Sequence, residues 1–238
     1  MRDFAEIWSY LAGDPLLWLG ATLLAYIIGD ALSRRAGRAP WMNPVLIAVA
    51  ILGLVLWATD TSYATYFEGA QFVHFLLGPA TVALAVPLWQ QRRALRPALL
   101  PILAALFAGS LTAVLSVLAI AHAMGLSDAL LATLAPKSTT APVALGISES
   151  LGGSPTLTAV LVILTGIIGA IVVTPLMNAL RIRDWRARGF AVGVAAHGIG
   201  TARALQVNQQ AGAFAGIGMA LNALLTAILA PWALGLFL

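Results

Sequence analysis

The sequence predicts an all-α polytopic membrane protein: about six transmembrane helices plus two re-entrant or broken helical hairpins, with an inverted repeat. Three observations carry this. Of the 238 residues, 61% are hydrophobic and only 9% charged, where a soluble domain carries about 25% charged residues, and the mean hydropathy is +0.93. The apolar residues gather in stretches near the ~20 residues that cross about 30 Å of hydrocarbon. Those stretches lack the polar/apolar alternation of an outer-membrane barrel. A lipid-embedded backbone must then satisfy its own polar groups, which leaves helices. The same composition excludes an ordinary soluble enzyme, a nucleic-acid binder and a disordered chain.

The expected spans are 16–32, 44–58, 72–88, 98–124, 157–180 and 212–237. Residues 1–15 carry Asp3, Glu6 and Asp14 against Arg2 and have no small-residue cleavage site, so no signal peptide is expected. Pro79 and Pro87 are expected to bend the third span. Two further segments, 128–150 and 188–206, are apolar but interrupted by turn-forming or polar residues at their centres. No linker is long enough to hold a soluble domain. One transmembrane domain, 1–238, is expected, with 1–97 as scaffold spans and 98–238 as the hairpin-bearing transport part.

Arginines set the orientation, because basic loops stay on the cytoplasmic side. Arg34, Arg35 and Arg38 follow the first span, and Arg92, Arg93 and Arg96 follow the third. Arg181, Arg183, Arg186 and Arg188 follow the span 157–180. All three clusters lie inside only if 128–150 dips in from outside and returns. By the same logic 188–206 enters from inside, and both termini lie outside. Thr140–Leu145 and Thr201–Leu205 are weakly alike, each preceding a long span that ends near a proline, Pro175 or Pro231. One hairpin plus one span per copy would make the copies inverted, as in many transporters.

Chemistry concentrates at the two breaks. In Pro136-Lys137-Ser138-Thr139-Thr140-Ala141-Pro142 the prolines remove backbone donors and interrupt the helix. The next half-helix then begins with free N–H groups and a positive dipole end. Ser138, Thr139 and Thr140 can cap it, and Lys137 adds a full charge, so the segment reads as an anion site. In His197-Gly198-Ile199-Gly200-Thr201-Ala202-Arg203 the glycines admit a close ligand, Thr201 offers a hydroxyl and His197 can titrate. Arg203 can fork onto a carboxylate. Loop lysines or a helix-packing glycine pair would give the same patterns without a ligand.

Glu149 and His197 are the candidates for a coupling proton. Asn222, alone in the last span, suits an interhelical hydrogen bond, and His74 and His122 suit structural places. An enzyme is not expected: Gly146-Ile147-Ser148-Glu149 lacks the glycine after the serine that a serine hydrolase turn needs. No cysteine, and no His-Glu-x-x-His pattern, offers a metal site. No cofactor is implied.

Three stretches together are specific: Leu77-Gly78-Pro79-Ala80-Thr81 through Pro87-Leu88, then Pro136-Lys137-Ser138-x-Thr140-x-Pro142, then Ala196-His197-Gly198-Ile199-Gly200-Thr201-Ala202-Arg203. In order and spacing, from about Trp41 to the end, the chain resembles the LrgB/CidB family. That family includes the LrgB-like half of the plastid glycolate/glycerate translocator. The resemblance implies a multi-pass protein of the bacterial inner membrane, often paired with a small LrgA/CidA-like partner. It also implies one of two roles. One is a carrier of small monocarboxylates such as glycolate, glycerate or pyruvate. The other is a holin/antiholin-like protein that modulates murein hydrolase activity and lysis. Lys137, Ser138, Thr140, His197, Gly198, Gly200, Thr201 and Arg203 occupy the family's signature positions. Thr139 departs from the pattern with an extra hydroxyl, and Leu205-Gln206-Val207 departs where an acidic residue is common. The expected partners are a small organic anion, the lipid bilayer, the LrgA/CidA-like protein and a second copy in a homodimer, with no nucleic acid.

Overall fold

The structure is a computed structural model that describes residues 14–39, 41–76, 79, 82–83, 89 and 99–238. The described residues form helices α1 (Pro15–Arg35), α2 (Pro44–Ala58), α3 (Tyr63–Phe75), α4 (Leu99–Ala123), α5 (Asp128–Leu134), α6 (Ala141–Ser150), α7 (Pro155–Ala179), α8 (Trp185–Val207) and α9 (Gln209–Leu234). No strand occurs among them. Four helices are long and apolar enough to cross a membrane: α1, α4, α7 and α9. The chain clusters into two compact units, 1–82 and 83–238.

The expected six spans are met in part. α2 has the expected bounds, but its 15 residues reach only about 22 Å at 1.5 Å per residue, short of the hydrocarbon thickness. The third expected span, 72–88, is corrected at its start: Phe72 lies near the end of α3, which begins at Tyr63. Ser62 caps that earlier start by accepting from the Thr65 N–H at 3.1 Å, a polar signal that an apolarity scan passes over. Pro87, most of 77–98 and the side chain of His74 lie outside the described residues.

In the first unit, α1 and α2 start on one pattern: an Asx cap, then proline in the first turn. The Asp14 carboxylate accepts from the Leu16 N–H at 2.9 Å ahead of Pro15. The Asn43 amide oxygen accepts from Val45 at 2.8 Å ahead of Pro44. Both satisfy backbone donors that a helix start leaves free. α1 packs on α2 and α3 through small residues. Gly29 meets the Pro44 carbonyl and Gly69 meets Pro15 and Trp18, where a Cβ would have no room. Trp18, 1% exposed, packs edge-on to Tyr66 with ring centres 5.8 Å apart.

In the second unit the contact order fixes the directions of the helices. Ile102 and Leu106 of α4 share a core with Phe214 and Ile217 of α9. Ser110 meets Asn222, Val114 and Leu118 share a core with Ala230 and Ala233, and the His122 ring lies tilted against Phe237. Contacts advance together along both helices, so α4 and α9 run parallel. α7 begins beside the end of α5: the Thr158 hydroxyl donates to the Thr133 carbonyl at 2.9 Å. It ends beside the start of α8, where Arg188 donates to the Thr174 carbonyl and the Asn178 amide oxygen. α7 therefore runs opposite to α4 and α9.

α8 folds back on itself. Its interior holds two residues with non-helical backbone, Ala196 and His197. The arm before the break runs parallel to α9: Gly189 lies on the Ala211 backbone and Gly193 on that of Ala215, with no space for a Cβ at either. The arm after the break returns, so that Arg203, Ala204 and Val207 line one recess with Trp185, Arg188 and Gly189. Both ends of α8 thus lie at the same end of the unit. α5 and α6, at 7 and 10 residues, span about 10 and 15 Å, each about half a bilayer. They pack against the C-terminal halves of α4 and α9, the end opposite to the mouth of α8.

Candidate functional site

The linker between α5 and α6 is Ala135–Thr140. Pro136 sits in its tight turn and Pro142 occupies the first turn of α6, so the two prolines bracket the break as the residue chemistry dictates. The Ser138 carbonyl accepts from the Asn222 amide at 3.2 Å. The Asn222 oxygen in turn accepts from the Ser110 hydroxyl at 2.6 Å and from Thr226 at 3.2 Å. Ser110 and Asn222 lie at the midpoints of α4 and α9. The linker therefore reaches the middle of the long helices. Asn222 is buried, 1% exposed, and makes the interhelical bonds its position suggests.

Three hydroxyls were expected to cap α6, and the structure distributes them differently. Thr140 holds the N-cap position, but its side chain makes no capping bond. The Ser138 hydroxyl accepts from the Lys137 ammonium at 3.3 Å. The Thr139 hydroxyl is fully buried and has no hydrogen-bond partner. An apolar surround normally costs such a group about 1–3 kcal/mol. Lys137, half-buried, is the sole lysine of the sequence.

The second break is built from backbone. His197 has φ 40° and ψ −134°, a left-handed conformation that costs a non-glycine residue about 1–3 kcal/mol. Its ring is buried, 4% exposed, and Nε2 lies 2.8 Å from the Val162 carbonyl. A carbonyl only accepts, so Nε2 carries the proton. Gly166, near the midpoint of α7, has no room for a Cβ beside that ring. The Thr201 hydroxyl donates to the His197 carbonyl at 2.7 Å, satisfying an acceptor that the break frees. Gly200 packs on Ala196 and Val192 and closes the fold-back, while Gly198 has only Met219 near it.

The two breaks approach one another from opposite ends. Lys137 lines a recess with Ala195 and Ala196 of α8 and with Thr165 and Gly169 of α7. Arg203 is separated from this group. It lines the small recess at the mouth of α8 with Trp185 and Arg188, where Arg188 lies 4.8 Å over the Trp185 ring. Glu149 is exposed near the end of α6. At the same mouth, outside the spans, hydrogen bonds from Arg186 hold the Asp184 carboxyl below the usual carboxylate range. No group of three or more His, Cys, Asp or Glu able to hold a metal occurs among the described residues.

Residue-type scanning passed over the glycines that permit this geometry. Gly166 admits the His197 ring, and Gly189 and Gly193 seat α8 on α9. The spacing of Gly189 and Gly193, four apart opposite Ala211 and Ala215, was the available signal. Thr133 and Thr158 gave no signal either, and Ser148 was weighed only as a nucleophile; their bonds close the packing beside Gly153.

A family model described as LrgB-like family matches residues 22–236. Holin-like protein CidB of Staphylococcus aureus is 33% identical over 94% of this chain and 97% of its own length. The corresponding protein of Staphylococcus epidermidis is 32% identical with the same coverage. YxaC of Bacillus subtilis is 35% identical over 91% of this chain and 94% of its own length. No solved structure matches the chain. With a family match that runs from α1 to α9 and relatives aligned nearly end to end, this chain belongs to the LrgB-like family of membrane proteins.

Proposed function

We propose that this protein is a holin-like membrane protein whose molecular act is the passage of small organic monocarboxylates. The two parts have different support. The holin-like role has the names of the relatives behind it, and the comparisons favour it over the carrier role; modulation of murein hydrolase activity and lysis is what the family resemblance adds. The carrier role rests on one observation: the sole lysine and a partnerless buried hydroxyl stand at mid-helix depth, between two breaks that enter from opposite ends. A pore needs oligomeric packing but no such convergence. Intramembrane ionisable groups are expensive and generally serve a function.

In a bilayer, α5–α6 and α8 become re-entrant hairpins, and each hairpin with its following span forms one half of an inverted repeat. Lys137 holds the carboxylate, with the buried Thr139 hydroxyl behind it and Ala195 and Ala196, next to His197, on the opposing wall. The protein sits in the bacterial inner membrane with six crossings, its arginine clusters inside and both termini outside. An LrgA/CidA-like small protein and a second copy of this chain are its partners, and it is not an enzyme.

The test is uptake of labelled pyruvate and glycolate by purified protein in liposomes. The carrier role requires saturable, competable uptake that falls at least tenfold in Lys137→Ala while the folded yield is retained. Unsaturated leakage of unrelated solutes would leave the holin-like role alone standing.

A further inference from the structure

We propose that the recess between α7 and the first arm of α8 holds the cargo of the carrier, and that the preferred cargo is a monocarboxylate with a bare aliphatic chain. This deepens the carrier reading and rests on it. The recess has a volume of about 500 Å³, within the range of about 300–1,000 Å³ typical of small-molecule sites. Its lining holds one charged group, the Lys137 ammonium, and one side-chain hydroxyl, that of Thr165; the remainder is alanine, glycine, methionine and branched aliphatic side chains such as Val172, Leu176 and Val192. Lys137 stands where the breaks approach each other, and Leu176 and Met177 stand near the end of α7. The recess therefore runs lengthwise, from a cation at the centre toward the mouth of α8.

Of the other polar groups of the breaks, the Thr139 hydroxyl is fully buried behind Lys137 and does not line the recess, and the rest are committed or turned elsewhere. The Ser138 carbonyl bonds to Asn222, the Ser138 hydroxyl receives Lys137, and the Thr201 hydroxyl bonds to the His197 carbonyl. Arg203 lines the small recess at the mouth, which shares only Val173 and Val192 with this one. An entering anion meets one cation and then methyl and methylene groups. A carboxylate head matches Lys137, and each methylene laid on the walls adds about fourfold in affinity. A hydroxyl on the chain leaves water and finds at most Thr165, so hydroxy acids bind more weakly than aliphatic acids of equal length.

Competition in liposomes tests this, with labelled pyruvate as reporter and unlabelled acetate, propionate, butyrate, glycolate and glycerate as competitors. The half-inhibitory concentration is expected to fall about fourfold per methylene from acetate to butyrate. Propionate is expected to compete at least tenfold better than glycerate, the acid of equal length with two hydroxyls. Glycerate competing as well as propionate would overturn the inference and leave the carrier reading intact. Saturable uptake of no carboxylate would remove the carrier reading and this inference with it. Ile168, Val172 and Leu176 are exposed, so a bilayer acyl chain is the rival occupant. Ala191→Leu, which fills the recess wall, is expected to weaken butyrate competition at least fivefold and acetate little. Unchanged competition in that variant would assign the recess to lipid and overturn the proposal.

Discussion

Segment 128–150 turns on two prolines, a lysine and three hydroxyls, whereas segment 185–207 turns on an alanine and a histidine inside what is otherwise one helix. The first break is written in side chains. Proline forbids the helix, and the freed groups are met by Asn222 and by hydroxyls on neighbouring helices. The second break is enforced by its surroundings. Nothing local obliges His197 to leave helical geometry. It does so because its first arm is seated on α9 by Gly189 and Gly193, its ring is held by Val162, and its carbonyl is taken by Thr201. A local break tolerates changes in its neighbours, and an enforced one does not.

That contrast can be broken first at the seam of the second segment. Gly193→Leu places a side chain where the Ala215 backbone already lies and is expected to cost about 3 kcal/mol. It should show as loss of folded, monodisperse protein in detergent; an unchanged unfolding temperature would refute the enforced-break account.

Next in size is Thr158→Val, which leaves the Thr133 carbonyl without its donor and the Ser148 hydroxyl without its acceptor. About 1–2 kcal/mol is expected, read from the midpoint of denaturant unfolding. At His197 two substitutions sharpen the comparison together. Both lose the ring, but only glycine accepts φ 40° without strain. His197→Gly is expected to be more stable than His197→Ala by about 1 kcal/mol, and equal stabilities would mean that the break carries no strain.

The smallest effect belongs to the first segment. Gly146 lies inside α6 with nothing within 4 Å of an added Cβ. Gly146→Ala is therefore expected to raise stability by about 0.5–1 kcal/mol, a gain visible as a higher thermal midpoint.

The same contrast explains how much was legible in the sequence. The 128–150 break could be read from Pro136 and Pro142, because proline acts on its own backbone. The bounds of α2 were legible from the apolar run 44–58 alone, and Asn43-Pro44 marks its start in the structure. The second break could be placed near His197 from its glycines and polar groups, but its mechanism could not, since it depends on Val162 and Ala215 far along the chain. The hydroxyls show the limit most clearly. Three of them beside Lys137 suggested capping, yet Ser138 receives the lysine, Thr140 makes no cap bond and Thr139 has no partner. Residue type fixed which groups could bond, and tertiary neighbours decided which did. The start of α3 was missed because a serine cap lies outside the apolar run that marked the span.

The backbone contact between α8 and α9 also has a mechanical consequence. Two helices that touch main chain to main chain at Gly189 and Gly193 have no cushion of side chains to slide on. The entering arm of α8 and the first half of α9 must travel as one stiff body.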